Sequence, residues 1–133
     1  MIVLDANVLV SVVLGRAVKG ALAAALDRGV TLRVPEPQLQ EAVRVLVEKI
    51  GYTRENAMQA LDAITAFVIL TPPEFYATHQ HAARQRLHAR GQPDWPVLAT
   101  ALAGDGGVCS HDRDFFGVGV PVWSTRNLQF AET

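Results

Sequence analysis

Five acids carry the first chemical argument: Asp5, Glu41, Asp94, Asp112 and Asp114. Asp5 directly follows the apolar run Ile2-Val3-Leu4, and Asp112 follows Val108-Cys109-Ser110 by one residue. Asp94 stands just before Trp95-Pro96-Val97-Leu98, and Glu41 falls in the first turn of a helix predicted to begin at Gln38. If the apolar runs are strands of a parallel sheet, acids from four separate segments gather at one rim. Carboxylates crowded together repel, and they need protons or a cation to coexist. A hard divalent ion such as Mg²⁺ or Mn²⁺ takes oxygen ligands and keeps several waters. It also polarises a phosphodiester and lowers the pKa of a bound water. Hydrolysis of a phosphodiester is the chemistry that fits.

Taken singly, most of these acids have a plainer reading. Asp94 suits the N-cap of the helix that follows it. A first-turn Glu41 is favoured by the helix dipole, and Asp112 and Asp114 flank Arg113 in a stretch that reads as a turn. Asp5 is harder to explain away. A charge set straight after a buried strand costs burial energy unless a partner or an ion is present. The argument rests on the set, not on any one member.

The elements that must position these acids alternate between short apolar runs and helical patterns. Strands are predicted at Ile2–Leu4, Thr31–Val34 (closed by Pro35), Val68–Leu70, Val108–Ser110 and Val120–Trp123. Helices are predicted over Val8–Arg28, with a possible break at Gly15, and over Gln38–Ile50 with a stripe of Leu39, Val43, Leu46 and Ile50. The first carries Leu14, Val18, Leu22 and Leu26 on one face. Further helices are predicted from the N-cap Thr53 to about Ala66, from Glu74 to Arg90 before Gly91, and from Asp94 to Ala103. Such alternation predicts a single-domain α/β/α sandwich over residues 1–133, with a mainly parallel, Rossmann-like sheet of about five strands. In sheets of this kind the working site lies outside the carboxyl ends of the strands.

The composition bounds the rest. At 133 residues, half of them hydrophobic, the chain suits one globular domain. Lys+Arg (12) nearly balances Asp+Glu (13), which excludes gripping a polyanion by bulk positive charge. Setting four rim acids aside as metal-neutralised leaves a mildly basic remainder, so a local nucleic-acid site stays open. A single cysteine, Cys109, excludes an internal disulfide and points to a reducing, cytoplasmic setting, with the thiol read as a small buried apolar group. No run approaches the roughly 20 apolar residues of a membrane span.

The ordered segments Ile2–Leu9 with Asp5, Gln38–Glu41, Asp94–Leu102 and Ser110–Phe115 resemble the PIN-domain family, which includes VapC-type toxins of toxin–antitoxin pairs. The resemblance spans the chain. It implies a Mg²⁺- or Mn²⁺-dependent ribonuclease in which Asp5, Glu41, Asp94 and Asp112 match the catalytic family acids, with Asp5, Asp94, Asp112 and Asp114 as metal ligands and Asp114 as accessory or alternative to Asp112. Asn7 and Ser110 match its supporting polar positions. It also implies an RNA substrate, a small antitoxin that occludes the groove, and a homodimer. Arg84, Arg86, Arg90 and Arg113 are candidates for substrate capture, Arg113 first and Arg84 more weakly, while Arg84, Arg86 and Arg90 read more readily as one solvated helix face.

Other residues invite less. His79 and His81 are two apart and cannot share a helix face, so they make a poor zinc pair. His88 is isolated, and His111 reads as an exposed loop residue beside Asp112. Trp95 and Trp123 are expected to pack against the sheet edge before stacking on bases. A non-catalytic module with the same fold is the alternative, though such a module has no reason to keep all four acids. A phosphate-accepting receiver domain would need a lysine after a late strand, and the only lysines are Lys19 and Lys49.

Overall fold

The computed structural model describes residues 1–131. Its centre is a five-stranded sheet in the order β3-β2-β1-β4-β5, with β1 at Ile2–Leu4, β2 at Leu32–Pro35, β3 at Ile69–Thr71, β4 at Gly107–Cys109 and β5 at Val122–Trp123. Every pairing is parallel, as in the registers Ile2↔Leu32, Val3↔Val108 and Cys109↔Trp123. Parallel strands need crossovers, and helices supply them: α1 (Ala6–Leu14), α2 (Arg16–Asp27), α3 (Glu36–Val45), α4 (Arg54–Thr65), α5 (Pro73–Tyr76), α6 (Gln80–Arg86) and α7 (Trp95–Ala103). The predicted α/β/α sandwich is thus the observed one.

The two-residue period of a strand divides the core. Ile2 and Leu4 join a cluster with Val8, Leu9, Leu22 and Leu46 on the α1–α4 side. Val3 points the other way, into a cluster with Tyr76, Val97, Leu98 and Phe115 beneath α5–α7. All three strand residues are almost wholly buried. The chain works outward from β1 through β2 to β3, then crosses to the opposite side at β4. The order therefore reverses between β1 and β4, which opens a crevice at their carboxyl ends. Gly106 closes the approach to β4, and a Cβ there would sit 2.3 Å from the Met1 carbonyl oxygen.

Several boundaries differ from expectation. Gly15 does break the first helical stretch in two, and Leu14 is exposed rather than part of a buried face. Pro35 belongs to β2 instead of closing it, pairing with Thr71, because a strand's last residue can do without its N–H. The next helix starts at Glu36, two residues early, since Pro37 is tolerated in a first turn. Its buried positions are Gln38, Ala42 and Leu46, while Ile50 is exposed in a widened turn at Leu46–Ile50. β3 lies one residue later than predicted. Thr53 caps α4 as expected, accepting from the Asn56 N–H at 3.1 Å.

The largest departure is the polar helix expected over Glu74–Arg90. It is α5, a 3₁₀ turn at Ala77–His79, α6, and then a second 3₁₀ turn at Ala89–Asp94. The break falls at Leu87, which turns extended (φ −90°, ψ 140°) while its side chain stays buried. Among the described residues no single helix is long and apolar enough to cross a membrane.

Candidate metal centre

The crevice between β1 and β4 gathers the acids. Asp5 is 3% exposed at the end of β1 and caps α1, its Oδ1 accepting from the Ala6 N–H at 2.8 Å. Its Oδ2 accepts from the Ser110 hydroxyl at 2.8 Å. Ser110, in the loop after β4, is a hub. Its Oγ also accepts from the Asp112 N–H at 2.9 Å and from Asn7 Nδ2 at 3.4 Å, while Asn7 Oδ1 accepts from the His111 N–H at 3.3 Å. Gln38, a buried residue that the sequence reading did not pick out, reaches the same place, its Oε1 accepting from the Ala6 N–H at 3.3 Å. Its only signal was a polar side chain in the helix that carries Glu41. The buried Asp5 charge thus has partners, though burial still raises its pKa, against these hydrogen bonds and with Asp112 and Glu41 adding repulsion.

Asp94, Asp112 and Asp114 form a tighter group, with one carboxylate oxygen from each lying within 4.8 Å of the others. Asp112 caps the 3₁₀ turn Arg113–Phe115 by accepting from the Asp114 N–H at 3.0 Å, so the turn reading for it holds. Asp94 sits before α7 yet has the wrong backbone for a cap (φ −92°, ψ 13°) and makes no side-chain cap bond. Its carboxylate is turned to its fellow acids instead. Burial, then Asp5, Asp112, Asp114 and Glu41, push its pKa up to about 7. Asp94 thus feels the other four acids at one rim. The Arg90 guanidinium holds the Asp114 carboxyl below the usual range, donating through Nε and Nη2 to Oδ1 at 3.0 and 2.8 Å.

Glu41 stands apart from the trio. It lies in the second turn of α3, not the first, so the dipole reading lapses. Arg44 grips its carboxylate and also reaches Glu48, and the hydrogen bond to Arg44 lowers the Glu41 pKa. Asp94, Asp112 and Asp114 line an open concavity of about 570 Å³ with Asn7, Arg90 and Arg113. His111, exposed as expected, lies there too, its Nε2 3.3 Å from Ser11 Oγ.

The arginines are all exposed, as expected, but they do not share one helix face, because α6 ends at Arg86. Arg84 lies over the Trp95 ring at 5.3 Å, Arg86 donates to the Val118 carbonyl at 3.1 Å, and Arg90 is bound to Asp114. Trp95 meets Tyr76 edge-on at 5.6 Å, and Trp123 packs on the core, as expected of both. Cys109 is fully buried, which pushes its thiol up to about 12. A second concavity, about 420 Å³ between α2 and α4, is walled largely by apolar side chains such as Val12, Leu22 and Ile64.

A sheet that reverses order at β1 and β4, with acids at that crevice, invites comparison with known families. The family model described as PIN domain matches residues 3–133. The chain belongs to the PIN-domain family. No curated protein matches it at a significant level. PIN domains are generally nucleases that use divalent metal ions and act on RNA or DNA. The donor set of this PIN domain fits such an ion, because the three grouped carboxylates offer oxygen alone and lie close enough to share one cation.

Proposed function

We propose that this PIN domain is a Mg²⁺- or Mn²⁺-dependent endoribonuclease. The observation that carries the reading is the Asp94–Asp112–Asp114 group at the β1/β4 crevice, where burial and the neighbouring acids together raise the Asp94 pKa. These three acids hold the ion. When bound, the ion supplies a water of lowered pKa and offsets negative charge on the phosphodiester. Asp5 fixes Ser110 and, through it, the loop carrying Asp112, while Glu41 adds to the negative rim. Arg113 stands at the edge of the same concavity, where a backbone phosphate would meet it. Arg84 lies over Trp95 and is the weaker candidate for that contact.

The finer assignment is the toxin of a VapBC-type pair, acting in the cytoplasm as a homodimer and held in check by a small antitoxin that covers the crevice. It rests on the resemblance of the acid-bearing segments to VapC-type members. The purified protein is expected to cleave single-stranded RNA, and not the matched DNA, with Mn²⁺ or Mg²⁺. EDTA should stop the reaction. Cleavage that persists in EDTA, or RNA left intact although Mn²⁺ binds, overturns the nuclease reading; the second outcome leaves a binding module.

A further inference from the structure

The acids of the proposed centre lie on two facing turns. Asp94 ends the 3₁₀ turn Ala89–Asp94, and Asp112 and Asp114 sit at the 3₁₀ turn Arg113–Phe115. One ion pair crosses between them, Arg90 to Asp114. Among the described residues the other ion pairs are local to one helical stretch, Arg44 with Glu41 and with Glu48. The crossing pair is lopsided: the Arg90 side chain is 78% exposed and that of Asp114 only 8%. An exposed guanidinium adds little to stability. Its geometry points elsewhere, because Nε and Nη2 both end on Oδ1, and among the described residues no hydrogen bond engages Oδ2.

The residue after Arg90 completes the arrangement. Gly91 is buried against Asp114, and a Cβ there would lie 3.0 Å from Asp114 Cβ, 3.5 Å from its Cγ and 3.4 Å from Leu87 Cδ2. No side chain fits beneath that carboxylate without moving it. Grip and clearance come from the turn that also carries Asp94, so the spacing between the two acids is set by a single short segment.

We propose that Arg90 is a positioning residue which, with Gly91 clearing the space beneath, holds Asp114 against Asp94 and Asp112 as a ligand of the divalent ion. The inference rests on the metal reading above. It opposes the simpler expectation for a cation beside a metal site, which is that removing it favours the ion.

The test is Mn²⁺ binding by calorimetry, without RNA, for the wild type, Arg90→Ala, Arg90→Lys, Gly91→Ala and Asp114→Asn. Arg90→Ala should weaken binding by about tenfold or more, the range found when a partner that orients a metal ligand is removed. Arg90→Lys keeps the charge but loses the two-point grip, so it should fall between. Gly91→Ala, which leaves the guanidinium intact, should weaken binding as well. Within an Asp114→Asn background, Arg90→Ala should change nothing further, whereas a general structural role would still lower affinity there. Melting curves in EDTA establish that each variant is folded; if Arg90→Ala is not, Arg90→Lys carries the comparison. A wild type that binds Mn²⁺ beside an Arg90→Ala variant that binds equally or more tightly overturns this inference alone. A wild type that binds no Mn²⁺ overturns the metal reading, and this inference with it.

Discussion

Asp5 and Asp94 stand on the same edge of the sheet and burial raises the pKa of both, yet their hydrogen-bond partners differ. Asp5 is the more deeply buried, and each of its oxygens has a donor, the Ala6 N–H or the Ser110 hydroxyl. Asp94 is half-buried and makes no cap bond, and burial, with four other acids adding to it, lifts its pKa to about 7. Glu41 sides with Asp5 in this respect, its charge being met by Arg44. The Ser110 hydroxyl ties Asp5, at the end of β1, to the loop after β4. An acid pressed among acids is poised for a cation from outside. Asp5 and Asp94 are the same residue type, and the difference lies in what the surrounding groups offer each carboxylate.

The largest effect expected from this contrast is on cleavage. Asp94→Asn should reduce the Mn²⁺-dependent cleavage of RNA to the level seen in EDTA, because it removes a ligand of the grouped trio. Glu41→Gln should retain measurable cleavage, since that carboxylate is already engaged by Arg44. Equal loss in both variants would erase the distinction between grouped and engaged acids, and would make the whole rim one functional unit.

A smaller effect should separate scaffold from ligand. Ser110→Ala strips the donor from buried Asp5 and the acceptor from the Asp112 N–H. Leaving such buried groups unpaired costs about 1–3 kcal/mol, readable by denaturant unfolding in EDTA. Asp112→Asn keeps an oxygen for the Asp114 N–H and should cost less. If Ser110→Ala unfolds no more readily than Asp112→Asn, the hydroxyl hub is not what supports Asp5.

How much of this was legible in advance follows the range of the forces involved. Ile2–Leu4 and Val108–Cys109 read as strands because an apolar run between polar boundaries is a local pattern, and the parallel order followed from alternation with helices. That placed Asp5 and Asp112 on one edge. Asp94 was legible as a member of the set but its geometry was not: a cap is a local habit, and here the backbone angles and the neighbouring charges override it. Arg90 was hidden for the opposite reason. It was grouped with Arg84 and Arg86 as a solvated face, but that grouping assumed a helix running on to Arg90. The chain instead breaks at Leu87, whose burial beneath α7 is a tertiary demand with no local signature. Once the helix ends, Arg90 can meet Asp114, 24 residues away.

The finest distinction is in the pH dependence of stability without metal. The Asp94 carboxyl has its folded pKa raised from 3.8 to about 7. Between those values the folded chain holds a proton that the unfolded chain has released, so stability falls as pH rises through this window and levels off above it. Asp94→Asn carries no such proton. In EDTA its melting temperature should therefore exceed that of the wild type at pH 8, by roughly 2–4 °C for a chain of this size once the half-exposed carboxylate is discounted for solvent screening. At pH 5 the gap should shrink. The difference between the two curves reports Asp94 together with its repulsion by the acids it faces. Adding Mn²⁺ at pH 8 should then raise the wild-type melting temperature by mass action and leave Asp94→Asn nearly unchanged. A variant no more stable than the wild type at pH 8 would mean that Asp94 is already neutralised within the fold. It would then belong with Asp5 rather than opposite it.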